Sequence, residues 1–96
     1  ETALGLSLKL VEDKVLSLST LVEKMSKNPA GILGISNDLV PGNPADLTLI
    51  DMNHTYTVDS DTFESKSRNT PFSGFELKGS CFMTLVQGRI VYQREL

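Results

Sequence analysis

The sequence is poor in the residues that most often carry chemistry. Its 96 residues include one histidine and one cysteine. A metal site built from several His and Cys ligands therefore cannot be assembled within it. A lone Cys81 excludes an internal disulfide framework and suits a reducing compartment. Excess positive charge is lacking too. Nine basic residues against twelve acidic ones leave a net charge of −3, where a nucleic-acid module would show a basic face. No apolar run approaches the roughly 20 residues that span a bilayer, and no signal peptide opens the chain. Neither nucleic acid nor membrane is expected as a partner. With 40% hydrophobic and 22% charged residues, the chain has enough apolar material to offset the entropy of ordering. The first residue is Glu1 rather than Met, which suits a trimmed chain or a piece of a longer protein; composition leaves both open.

The first third is expected to be helical. Leu4, Leu6, Leu8 and Leu10 alternate as in a half-buried strand, yet Leu4, Leu8 and Val11 also fall at helical spacing. Few β-branched residues and many good helix formers over residues 3–12 favour a helix buried on most sides. Ser17 is placed to cap a second helix through Leu18, Leu21, Val22 and Met25, and Thr20 with Glu23 offers a rival capping-box start. Asn28 and Pro29 predict a fresh helix, with Asn28 as its cap and Pro29 at the first helical position. Gly34 should end it.

Past residue 35 the pattern turns to strands. Pro41, Gly42 and Pro44 form a turn. Ala45–Asp51 alternates like a strand, and Thr55–Val58 reads as a second, joined to it through Asn53 and His54. Residues 59–79 lack periodicity and read as one long loop, which in a compact domain usually serves a function or packs on something else. Cys81–Val86 and Arg89–Gln93 should form a hairpin around Gln87-Gly88. Helices first and strands later make an α+β pattern. Four short strands exposing Leu47, Leu49, Leu85, Ile90 and Val91 resemble half of a sandwich that needs another layer.

Candidate chemistry is sparse. His54 stands alone in a polar turn and reads as a surface histidine. Cys81 lies within a strand pattern and reads as a buried small hydrophobe, since no histidine or basic cluster is near it in sequence. Asp46 and Asp51 flank a strand, and Asp59 and Asp61 lie in a turn, where strand ending and turn formation explain them. Gly31 to Gly34 lacks the spacing of a phosphate-binding loop. Lys66, Arg68 and Lys78 mix with Phe72 and Phe75, but the acidic balance favours a packed loop over an anion site. Phe72 is expected to anchor that loop on an apolar surface and Pro71 to stiffen it.

Three blocks together carry a resemblance. Leu16-Ser17-Leu18 followed by Met25-Ser26-Lys27-Asn28-Pro29-Ala30 and Ile32-Leu33-Gly34 resembles the end of the barrel in cyclic amidohydrolases. Val40-Pro41-Gly42-Asn43-Pro44-Ala45-Asp46-Leu47 is similar to the entry into their C-terminal β segment. Narrower is the run from Phe63 to Gly79, with Asn69-Thr70-Pro71-Phe72 at its centre, followed by Thr84 to Tyr92. That block resembles the tail of the dihydroorotase family, and Glu1-Thr2-Ala3-Leu4 fits the start of the helix after its last barrel strand.

The resemblance implies the C-terminal part of a (β/α)8 amidohydrolase with a composite β-sandwich. Residues 1–34 would be the last helices of the barrel and residues 35–96 the C-terminal strands of the sandwich. It implies a cytoplasmic, metal-dependent parent enzyme of pyrimidine biosynthesis, commonly with zinc. The parent would reversibly cyclise N-carbamoyl-L-aspartate to L-dihydroorotate at the mouth of the barrel strands. The family's metal ligands and catalytic aspartate all precede this segment. No catalytic, cofactor-binding or metal-binding residue is thus assigned here, and the chain alone is expected to be structural and inactive. Its expected partners are the missing N-terminal part of the same protein, a small-molecule substrate in the parent, and further copies in a homo-oligomer. The tail of an allantoinase or dihydropyrimidinase, or of a non-catalytic dihydroorotase-like scaffold subunit, is the alternative; a free-standing α+β interaction module is a third.

Overall fold

A computed structural model describes residues 1–95. Helix α1 (Ala3–Glu12) forms where strand and helix templates competed, and its face resolves the conflict: Gly5 and Leu8 are buried while Lys9 and Leu10 face out. Lys14, with a φ of 61°, ends the run. Helix α2 (Leu18–Val22) starts where Ser17 takes the Thr20 N–H on its side-chain oxygen, so Ser17, and not Thr20, is the cap.

The break expected at Asn28 is not there. The chain passes from α2 through a π-helical turn, Glu23–Lys27, into α3 (Asn28–Leu33) without leaving helical dihedrals; Asn28 sits at φ −67° and ψ −45°. Its N–H reaches back five residues to the Glu23 carbonyl. The wider turn comes just ahead of Pro29, whose ring would crowd the carbonyl four residues earlier in a regular helix. Asn28 therefore lies within the rod and Pro29 is tolerated by the π turn. Gly34 ends α3 as expected, at φ 71°. Its N–H reaches the Gly31 carbonyl and that of Ile35 reaches Ala30, the paired bonds of a Schellman cap.

The sheet has three antiparallel strands in the order β1 (Leu47–Thr57), β2 (Glu76–Val86), β3 (Arg89–Gln93). Three expectations are corrected here. The two strands at 45–51 and 55–58 are one strand of 11 residues. Its register steps from Asp51↔Ser80 to Thr55↔Lys78, so Met52, Asn53 and His54 bulge opposite Gly79 alone. The sheet accordingly has three strands rather than four. The loop is also shorter than 59–79, because β2 begins at Glu76. Val58 donates to the Phe75 carbonyl and Gly74 to that of Val58, closing the loop at its base. Gln87 and Gly88, at φ 50° and 77°, make the expected two-residue turn. Asp46 steadies it by accepting the Gln87 N–H at 2.6 Å.

The core lies where α1 crosses β2. Leu8, Val58 and Leu77 are 3%, 4% and 2% exposed. Gly79 permits the close approach: a Cβ there would stand 2.6 Å from the Leu8 Cδ1, and its φ of +101° favours glycine. Gly5 does the same from the helix side, where a Cβ would collide with the Tyr56 hydroxyl. α1 therefore packs on the strand segment, although the resemblance groups it with the helical residues 1–34.

Candidate functional site

An apolar groove of about 880 Å³ lies between the helices and the sheet. Leu4 and Leu8 of α1, Leu21 of α2 and Leu47, Ile50 and Leu85 of the sheet line it. The amphipathic spacing that made Leu18, Leu21, Val22 and Met25 a helix also sets them along one wall. Only Leu21 of those four is buried; Leu18, Val22 and Met25 remain 45%, 53% and 44% exposed. Leu39, at the groove's margin, is 75% exposed, and beyond the groove Ile32 and Leu33 are 86% and 72% exposed. This is a face shaped for contact with protein rather than for a small polar substrate.

The area of the chain says the same. Its accessible surface is 7259 Å², whereas a self-contained folded protein of this mass exposes about 5,400 Å². The radius of gyration, 14.6 Å, exceeds the roughly 12.5 Å of a compact domain of this length. The chain leaves uncovered about a third more surface than a complete domain would.

The candidate chemical residues do not converge. His54 is half-buried in the bulge and stacks on Tyr56, with ring centroids 5.7 Å apart. Burial raises the Tyr56 phenol above its ordinary value. Cys81 is half-buried rather than buried, its Sγ 3.2 Å from the Thr84 hydroxyl. Asp59 accepts the Asp61 N–H and caps a short 3₁₀ turn, Ser60–Thr62, which is the turn role expected of that pair. Phe72 packs edge-on against Phe75, centroids 5.5 Å apart. Arg68 turns inward to the carbonyls of Ser65 and Ser67.

One polar cluster escaped the sequence reading. Arg94 donates to the Asp51 Oδ2 at 2.9 Å and to the Ser80 hydroxyl at 3.1 Å, and lies 5.5 Å from the centre of the Phe82 ring. The guanidinium, with the Asn53 N–H second, holds the Asp51 carboxyl below the usual carboxylate range. The cluster joins the residue after β3 to β1 across β2, on the face away from α1, because Ser80 and Phe82 alternate with Gly79 along the strand. Hairpin counting from Gln87-Gly88 brings Arg94 level with the start of the Cys81–Val86 strand, but its partner on β1 depends on the bulge.

Among the described residues, no three His, Cys, Asp or Glu side chains come together as a metal-binding group. No helix of the described residues is long and apolar enough to cross a membrane.

Comparison with known proteins places these features. No protein-family model matches the chain. Dihydroorotase from Desulforapulum autotrophicum is 62% identical over 96 residues, which are all of this chain and 22% of that protein. Dihydroorotases from Geobacter metallireducens and Syntrophus aciditrophicus are each 55% identical, over 98% and 99% of this chain and again 22% of their own length. The chain thus spans about a fifth of the curated relatives it matches. Among solved structures, L-hydantoinase (dihydropyrimidinase) from Arthrobacter aurescens superposes with a TM-score of 0.79 at 35% identity, covering 86% of this chain and 19% of the other.

Proposed function

Since this chain is homologous over its full length to a segment of the dihydroorotases, we propose that it is the C-terminal part of such an enzyme and acts within it as framework. Residues 1–34 then belong with the last helices of a (β/α)8 barrel, and residues 35–96 with the closing strands of a composite β-sandwich. The parent reversibly cyclises N-carbamoyl-L-aspartate to L-dihydroorotate, with zinc supplied by ligands elsewhere in the protein. A cytoplasmic homo-oligomer is part of the same reading. The 62% identity to a dihydroorotase, set beside 35% to the hydantoinase, favours this substrate over that of a dihydropyrimidinase.

The observation that carries the framework role is the uncovered area. The excess over a self-contained domain exceeds what one partner contributes to a standard stable interface, about 800 Å². That excess, with large apolar side chains such as Ile32, Leu33 and Leu39 exposed within it, supports cover by another part of the protein.

A chimera tests the proposal. This chain replaces the matching segment of the Desulforapulum autotrophicum dihydroorotase, and ring opening of L-dihydroorotate is followed with zinc present. The chimera should turn over substrate, and the 96-residue chain by itself should not exceed a buffer blank. A folded, metal-loaded chimera without turnover would count against a dihydroorotase framework, and turnover by the chain alone would remove the framework role.

A further inference from the structure

The loop between β1 and β2 is exposed yet ordered by specific bonds, and one of its anchors lies far away in sequence. Glu1 accepts the Glu64 N–H on Oε1 at 3.1 Å and the Ser65 N–H on Oε2 at 2.8 Å. Both carboxylate oxygens are thereby engaged by consecutive backbone donors, an arrangement that only an ionised side chain satisfies fully. The Ser65 N–H, then that of Glu64, holds the Glu1 carboxyl below the ordinary range. Among the described residues, the other hydrogen bonds of residues 64–70 stay inside the loop: Arg68 to the carbonyls of Ser65 and Ser67, and the Asn69 N–H to the Ser67 hydroxyl. At the far side the Phe72 N–H meets the Thr70 hydroxyl, and Phe72 leans on Phe75.

We propose that Glu1 is the clasp of a strap spanning residues 63–73, so that order in the strap is conditional on where the chain enters α1. The two ends of this coupling differ in rigidity. Glu1 stands two residues ahead of α1, whose first turn is tied by the Leu6 N–H to the Thr2 carbonyl and which is pinned to the sheet by Leu8 over Gly79. Residues 64–69 have no buried side chain, so within this chain packing does not replace the clasp. A shift of the segment leading into α1 carries the carboxylate away from Glu64 and Ser65 and frees the strap, without loss of the core beneath.

The test is amide exchange in the full-length protein that carries this chain, comparing the natural residue with Glu1→Gln and Glu1→Ala. Glu64 and Ser65 amides should exchange about tenfold faster in Glu1→Ala, and to a lesser degree in Glu1→Gln, which keeps one acceptor oxygen. Tryptic cleavage after Lys66 and Arg68 should accelerate in the same order. Amides of Val58 and Leu77 should keep their protection. Unchanged exchange at Glu64 and Ser65 in Glu1→Ala overturns the clasp. A uniform rise that includes Leu77 also overturns it, since Glu1 would then serve overall stability. The readout needs no turnover, so failure of the dihydroorotase reading would be seen separately.

Discussion

The crossing of α1 over β2 and the rod from α2 to α3 are made of similar leucine-rich sequence, but only one of them is closed. At the crossing, Leu8, Val58 and Leu77 exclude water almost completely, because two glycines let helix and strand approach within side-chain contact. Along the rod, only Leu21 and Ala30 are buried, and Ile32 and Leu33 stand in solvent. Local sequence made both helices equally well; burial came only where a complementary surface lay within this chain. The crossing is covered by this chain's own side chains, and the rod is not.

The largest test of this contrast is Leu77→Ala, which removes the most buried side chain of the crossing and leaves a cavity under α1. Denaturant unfolding should show a loss of about 3 kcal/mol, and a loss under 1 kcal/mol would mean the crossing is not the core. Gly79→Ala comes next. Positive φ and the clash with Leu8 should together cost about 2 kcal/mol. In the double variant with Leu8→Ala, the two losses should sum to more than the measured total, because the smaller side chain relieves the clash. Strict additivity would show that close packing is not why glycine stands there.

A smaller effect is expected at the face away from α1. Asp51 has a lowered folded pKa, so its contribution is present above the unfolded value and is lost as pH falls through the folded one. Melting temperature should therefore decline, as pH falls below about 4, more steeply for the natural chain than for Asp51→Asn. Parallel profiles would mean the Arg94 pair contributes nothing measurable. The smallest effect belongs to the rod. Ile32→Ser should change the stability of the chain by itself within about 0.5 kcal/mol, while reducing self-association in sedimentation. In the chimera the same substitution should lower the melting temperature clearly; an equally silent result there would break the contrast.

Where a structural feature is made by neighbours in sequence, the reading from residues was sound. Ser17 capping α2, Gly34 closing α3, the Gln87-Gly88 turn and the Asp59 turn each depend on contacts within about five residues. One error was local, at Asn28-Pro29, and the others arose where distant backbone decided. The Asn28-Pro29 pair carried a proper helix-start signal, and a π turn absorbed it instead. Residues 52–54 looked like a connection between strands because three residues had to bulge opposite Gly79, a count that β2 sets. Residues 76–79 look irregular alone and became strand because β1 offered them a ladder.

The dihydroorotase resemblance was legible because it rests on linear blocks such as Asn69-Thr70-Pro71-Phe72, which need no folding to be read. The sequence by itself determined the Ser17 and Gly34 caps, the Gln87-Gly88 and Asp59 turns, the helix-then-strand order and the kinship, all of which follow from local stereochemistry and residue identity. Only the tertiary structure decided that Leu8 would lie over Gly79, that Arg94 would find Asp51 across β2, and that Glu1 would hold Glu64 and Ser65. Each of those pairs lies at least 40 residues apart. Such contacts depend on register, bulge and crossing geometry, which are set by the whole sheet and not by any stretch of it.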